Sequence, residues 1–379
     1  MAGQAIIKSM SYHRIVAKFG TNLLTGGTDR LDPNAMASLV EQISQLHDKG
    51  HEIIIVSSGA VAAGRQKLGL TEDYKGTPFK QVLASVGQNQ LMQAYDQLFS
   101  WHKITVAQAL LTKANFADRA GYLNARNTLL ALIELGVICI VNENDVVATD
   151  ELGELKFGDN DNLSAMVANL VDADLLALLT DIDGLYTADP QHNPSAKFIP
   201  RVERIDSSIE RLASGAKNSS SVGGMITKIE AAKLATASGV AVIIANGRKP
   251  DVLIRAMSGE SVGTIFPSCS NKLESKQRWM LSRLASKGNL VIDGGAVNAL
   301  KNQKRSLLPA GIVGVEGKFK RGDVVDIHDS EDNQIGCGIA NYSSKDITII
   351  KGAHSEEIPN LLSYEYGDEV IHRNNMVLI

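Results

Sequence analysis

Six short apolar runs separated by helical patterns constrain this chain more than any other feature. They fall at 14–19, 52–56, 105–111, 137–141, 175–179 and 240–245. Glu52-Ile53-Ile54-Ile55-Val56 is apolar almost throughout, as a strand covered on both faces of a parallel sheet must be. Asp32-Pro33 opens a helix with apolar residues at Met36, Leu39, Val40, Ile43 and Leu46, and Lys49-Gly50 closes it. Further helices are expected at 80–99, 119–135, 225–238 and 250–257, and a last strand at 263–266. Such alternation specifies an α/β domain with a mainly parallel open sheet sandwiched by helices, here spanning 1–267.

Open sheets of this kind bind ligands beyond the carboxyl ends of their strands, so the residues just after each run are the first candidates. Lys18 closes the first run beside Gly20-Thr21-Asn22. The second run leads into Ser57-Ser58-Gly59-Ala60, either an anion cradle or a tight helix start packed on the sheet. Gly59 and Gly64 have the spacing of a phosphate loop, but Arg65-Gln66 replace its Lys-Ser/Thr. Asn142-Glu143-Asn144-Asp145 follows the fourth run and begins a long loop. Loops of that length inside compact domains usually serve function.

That loop ends in Asp159-Asn160-Asp161-Asn162, which runs into an apolar helix at 163–170. Asn162 or Asp161 is the expected N-cap. One acid is enough for a cap, so the cluster is either a solvated capped turn or a polar site at the sheet's mouth. It is not a calcium loop: counting from Asp159, Leu163 falls on a ligand position and Ser164 where the turn needs Gly. Thr180-Asp181 follows the fifth run. Val222-Gly223-Gly224-Met225-Ile226-Thr227-Lys228 opens a helix, as a second phosphate cradle or as a plain loop end.

From 287 the texture changes. Short runs at 290–292, 311–315, 323–328, 335–340, 347–350, 369–372 and 376–379, with frequent Gly and Asp turns, suggest a small β-rich barrel. Residues 268–286 are polar and read as a linker.

Bulk properties exclude several classes. In 379 residues, 44% hydrophobic and 21% charged, the net charge of −4 offers no global attraction to nucleic acid or an anionic membrane. The segment 283–379 carries 11 Lys and Arg against 13 Asp and Glu, a net of −2, which argues against RNA binding there; a local basic patch at Lys318, Lys320 and Arg321 keeps that reading open. No apolar run is long enough to span a bilayer, and the first ten residues lack a signal-peptide pattern. Cys139, Cys269 and Cys337 are widely spaced and form no zinc or redox motif, which places the chain in a reducing cytoplasm.

Two lysines at separate glycine turns and a carboxylate to hold them meet the needs of phosphoryl transfer. Fixed cations stabilise the charge spread over the transferring group more than they stabilise the ground state.

Six motifs in order, from Ile15–Asn22, 56–60, 142–145, 157–164 and 179–186 to 223–228, resemble the amino acid kinase family. Within it they resemble the branch that phosphorylates the side-chain carboxylate of L-glutamate. Asp293-Gly294-Gly295-Ala296 and Ser306-Leu307-Leu308-Pro309-Ala310-Gly311, within 287–379, resemble a PUA domain. The resemblance implies an acceptor-binding first half and a nucleotide-binding second half. Catalysis falls to Lys18, Lys228 and Asp161, which orients the lysines. Glutamate falls to Ser58, Asp145 and Asn160. ATP falls to Lys18, Thr180, Asp181, Val222, Gly223, Gly224, Met225, Ile226, Thr227 and Lys228. It further implies Mg2+ carried mainly by ATP, L-glutamyl 5-phosphate as product in the first step of proline biosynthesis, feedback inhibition by proline, a homo-oligomer, and hand-off to a glutamyl phosphate reductase. Residues 150–154 and Asp159 match no family role. Three other readings stand beside this one: the same fold acting on N-acetylglutamate or aspartate, an RNA-binding protein, and an inactive amino-acid sensor.

Overall fold

The computed structural model describes residues 12–70, 77–148, 160–190, 192–214, 224–268 and 286–378. The chain forms two compact units, Met1–Lys113 with Arg126–Lys272, and Ala114–Ala125 with Leu273–Ile379.

In the first unit the chain runs β1 (Arg14–Phe19), α1 (Thr21–Leu24), α2 (Pro33–Asp48), β2 (Glu52–Ser57), α3 (Ala60–Leu68), α4 (Thr77–Ser100) and β3 (Val106–Leu111). After α5 (Lys113–Ala117) and α6 (Arg119–Glu134), of which residues 114–125 belong to the second unit, come β4 (Ile138–Glu143), α7 (Asn160–Leu170), β5 (Leu175–Thr180), and the small pair β6 (Leu185–Tyr186) and β7 (Phe198–Ile199). Helices α8 (Ser207–Ser214) and α9 (Met225–Ala237), strand β8 (Ala241–Asn246), α10 (Val252–Met257) and β9 (Gly263–Phe266) complete it. The sheet order is β3-β4-β2-β1-β5-β8-β9. Every neighbouring pair is parallel except β8 and β9.

The inner strands β1, β2, β4, β5 and β8 are buried on both faces, which is why their sequences do not alternate. Strand β1 lies between β2 and β5, the point where the chain switches the direction in which it adds strands. In that register Lys18 pairs with Val56 on one side and Leu178 on the other. Helix α2 starts as expected: Asp32 accepts from the amides of Asn34 and Ala35, with Pro33 in the first turn.

Gly59 and Gly64 are explained by backbone geometry. Gly59 caps α3 with a φ of +100°, a conformation that favours glycine. A Cβ on Gly64 would stand 1.9 Å from the Leu83 carbonyl oxygen, and one on Gly87 would stand 1.8 Å from that of Ala60. The pair lets α3 and α4 cross at backbone contact, so Gly64 is a packing glycine.

Helix α7 corrects the expected cap. It begins at Asn160, so Asp161 and Asn162 lie inside its first turn rather than at the N-cap. Asp159, the linker residues 269–285 and the loop 150–154 lie outside the described residues.

The second unit holds β10 (Gly288–Ile292), α11 (Gly294–Gln303), β11 (Ile312–Gly317), β12 (Val324–Asp329), β13 (Gln334–Ile339), α12 (Ser344–Ile350), α13 (Ile358–Leu362) and β14 (Met376–Leu378). Its sheet order is β11-β10-β12-β13-β14. Leu290, Ile292, Val325, Ile327, Tyr342 and Ile347 lie in its core. Within this unit Leu123 packs on Val324, Cys337, Ile339 and Val377, and Arg119 pairs with Asp323.

Two expected strands are absent there. Ile347-Thr348-Ile349-Ile350 is helical, because Ser343 and Asp346 close a reciprocal capping box in front of it. Residues 369–372 contribute only a bridge between Leu307 and Ile371. Asp293 caps α11 by accepting from the amide of Ala296 at 2.7 Å.

Candidate active site

Three side chains far apart in sequence meet beyond the carboxyl end of β1. Lys18 comes from the end of that strand, Asp161 from the first turn of α7 and Lys228 from the first turn of α9. One Asp161 oxygen pairs with the Lys18 ammonium. The other lies 3.2 Å from the Lys228 ammonium and accepts from the Thr227 hydroxyl at 3.0 Å. Asp161 is fully buried, and Lys18 and Lys228 are only 4% and 5% exposed. Ions this deep are weakly screened by salt, and each has lost hydration that its partners must replace. With all three ionised the cradle keeps one net positive charge, suited to a polyanion. The first-turn position of Asp161 also places its carboxylate at the positive end of the α7 dipole.

The neighbouring residue serves a second, uncharged group. The Asn160 amide nitrogen lies 2.9 Å from the Ser57 carbonyl oxygen, 3.0 Å from the Ser58 hydroxyl and 2.9 Å from the Asn142 side-chain oxygen. Asn142 in turn donates to the Gln88 side-chain oxygen at 2.8 Å. Beneath them the Ser57 and Tyr95 hydroxyls share a hydrogen bond of 2.8 Å. Burial raises the Tyr95 phenol pKa above its ordinary value, against a smaller opposing effect of the Ser57 bond.

Ser58 and Asn160 are thus brought together. Asp145 is not joined to them: it lies half-buried in the turn after β4, and makes no hydrogen bond to either among the described residues. Burial raises its carboxyl pKa.

A third group lies past β5. Thr180 donates to Asp181 at 3.1 Å, and Asn22 donates to the other Asp181 oxygen at 3.0 Å. Burial pushes the Asp181 pKa up, but hydrogen bonds from Asn22, its own backbone and Thr180, with the Arg248 charge, together hold it below the usual carboxylate range. Asp183 is also lowered, by Lys249 and Asn246.

Gly224, Met225, Ile226, Thr227 and Lys228 form the entry to α9, with Gly224 as its N-cap. Val222 and Gly223 lie outside the described residues. The single Thr227 hydroxyl proton is shared between Asp161 at 3.0 Å and the Gly224 carbonyl at 2.8 Å, so the hydroxyl helps to seat the central carboxylate.

Asn142 and Gln88 were not among the residues expected from sequence. Asn142 stands directly after an apolar run, a position that could have singled it out. Gln88 lies within a long helix, and no local pattern marks it.

Residues 13–246 match the Amino acid kinase family and residues 288–362 match the PUA domain. A protein named Glutamate 5-kinase from Dehalococcoides mccartyi (strain 195) is 59% identical over 97% of this chain and 99% of its own length. One of the same name from Herpetosiphon aurantiacus is 50% identical over 96% of this chain and 98% of its own. A third, from Shewanella sediminis, is 49% identical over 98% of this chain and all of its own.

Proposed function

The chain belongs to the amino acid kinase family and, within it, to the glutamate 5-kinases, and we propose that the buried Lys18–Asp161–Lys228 cradle is where it transfers phosphate. The reaction is ATP-dependent phosphorylation of the side-chain carboxylate of L-glutamate, in proline biosynthesis. The attacking carboxylate is ionised at neutral pH, so no general base is required. One of its oxygens attacks the γ-phosphorus in line, the bond to the β-phosphate oxygen breaks, and glutamyl 5-phosphate and ADP result.

The observation that carries this reading is one buried carboxylate gripping two ammonium groups from opposite halves of the fold. Asp161 positions the lysines, and Lys18 and Lys228 take up the charge of the transferring group. Ser58 and Asn160 bind glutamate, with the Ser58 hydroxyl as the donor to its carboxylate; Asp145, half-buried in the turn after β4, faces its ammonium group. Thr180, Asp181 and the 222–228 segment hold the nucleotide.

Magnesium enters on the ATP phosphates, where it shields their charge. Asp161 is already engaged by two ammoniums, and the described residues contain no cluster of three potential ligands, so the cradle itself is a poor metal site. Membership of the family supports proline as a feedback inhibitor at the acceptor side and a homo-oligomeric state. The reactivity of an acyl phosphate supports prompt consumption by a glutamyl phosphate reductase. The acidic C-terminal segment makes RNA a poor ligand. No described helix is long and apolar enough to cross a membrane; we place the enzyme in the cytoplasm.

Trapping the product with hydroxylamine tests the reading. Glutamate with ATP should yield hydroxamate, and N-acetylglutamate and aspartate should yield far less. Better turnover of N-acetylglutamate would overturn it.

A further inference from the structure

The amide network around Asn160 has a fixed polarity and an open end. The Ser57 carbonyl oxygen can only accept, so the Asn160 atom facing it at 2.9 Å is the NH2 nitrogen. The Asn142 atom that meets this nitrogen must then be its oxygen, and the same oxygen accepts from the Glu143 backbone amide at 2.9 Å. Asn142 therefore presents its NH2 to Gln88, and the Gln88 atom that accepts at 2.8 Å is its oxygen. Two backbone groups, one at Ser57 and one at Glu143, decide the orientation of all three amides.

The chain of bonds ends on the Gln88 Nε2 group. It is shielded from solvent and has no hydrogen-bond partner among the described residues. A buried unsatisfied donor costs on the order of 1–3 kcal/mol, so its retention next to a satisfied network calls for an acceptor that arrives later.

We propose that Gln88 is a further acceptor-binding residue, whose Nε2 donates to the non-reacting α-carboxylate of the amino-acid substrate. This rests on the functional reading above. The connectivity chooses the carboxylate. The reacting one must lie beside the Lys18–Asp161 pair, next to Asn160. Gln88 is removed from Asn160 by the whole Asn142 side chain, a separation that suits the second carboxylate rather than the reacting one. A neutral donor is also the right group there: it recognises a carboxylate without adding a third cation to compete for Asp161.

Gln88→Glu removes the donor and adds a negative charge, and Gln88→Met removes the donor without one. The Gln88→Glu variant keeps an oxygen to accept from Asn142, so the network is preserved, but it replaces the donor with an acceptor. Wild type and variant are compared in steady-state kinetics with glutamate and ATP varied in turn, and thermal unfolding reports on the fold. The expected result is a KM for glutamate raised roughly 10- to 100-fold, the range of one lost hydrogen bond to a charged group. The KM for ATP and kcat at saturating glutamate stay within about twofold, as for a contact made equally in ground and transition states. Gln88→Met, which removes both ends of the amide, should raise the glutamate KM at least as much. An unchanged KM for glutamate in a folded Gln88→Glu enzyme would overturn the proposal. Wild type that phosphorylates no glutamate would overturn the functional reading instead, so the two failures are distinct.

Discussion

Asn160 and Asp161 are neighbours on one turn of α7, yet they organise opposite kinds of chemistry. Asp161 sits among charges, with an ammonium on each oxygen and a supporting hydroxyl. Asn160 sits among neutral groups, a carbonyl, a hydroxyl and a second amide. On the function proposed above, the contrast follows from what each side holds. A phosphoryl group gains and redistributes negative charge in transfer and is best met by fixed cations. A carboxylate acceptor needs placement without neutralisation, because a tight ion pair would blunt its nucleophilicity. Adjacent positions in one turn can face two different groups because successive side chains on a helix point in different directions.

The strongest way to break the contrast is to remove its charged centre. Asp161→Ala leaves two buried ammoniums without their shared partner, a loss of about 3–5 kcal/mol for a broken buried pair. Chemical denaturation should register that loss, and turnover should fall further than for either lysine variant. Asp161→Asn keeps the shape and should still lose turnover, which separates charge from packing.

Next in size are Lys18→Ala and Lys228→Ala. Each should lower kcat about 10²- to 10³-fold, the worth of one transition-state donor. Wild-type kcat in both would end the assignment.

Asn160→Ala acts on the other side of the contrast. It removes the group that meets Ser57, Ser58 and Asn142. The KM for glutamate should rise roughly tenfold or more, while the KM for ATP changes little. A variant with the opposite pattern would reverse the two faces.

The smallest effect concerns pH. The folded Asp181 pKa lies below the value near 3.9 of an unfolded aspartate. Its ionised form therefore contributes stability above about pH 4, which is lost as pH falls through the folded pKa. Asp181→Asn should flatten the decline of thermal midpoint on the acid side, by lowering the midpoint modestly at pH 7 and leaving it nearly unchanged below the folded pKa. An unaltered acid limb would show that the Asn22 and Thr180 bonds stabilise nothing.

Much of this was legible in the chain, for physical reasons that differ from residue to residue. Lys18 could be found because a strand ending in a lysine and a glycine turn defines a ligand edge before any contact is known. Asp161 stood out as an acid in excess of what a cap requires. Their meeting with Lys228 could not be read from spacing, since it depends on β1 and β5 pairing directly and on α7 and α9 covering that edge. Gln88 carries no signal at all: it lies inside α4, a helix whose glycines at 87 and, across the crossing, 64 are there for close packing. The error at Ile347-Thr348-Ile349-Ile350 has a local cause. Four residues rich in β-branching favour a strand, but the Ser343–Asp346 capping box starts a helix before strand propensity can act. The start of α7 went wrong in the opposite direction, with residues of cap type standing inside the first turn because their side chains are committed to the site.

The division of labour at Asn160 and Asp161 is tested most directly by a structure of the chain with glutamate and a non-hydrolysable ATP analogue bound. The account predicts the side-chain carboxylate of glutamate on the Ser58 hydroxyl beside Asn160, and the γ-phosphate between the Lys18 and Lys228 ammoniums, with Asp161 touching neither ligand. A glutamate carboxylate seated between the two lysines, or a phosphate bound to Asn160, would contradict it.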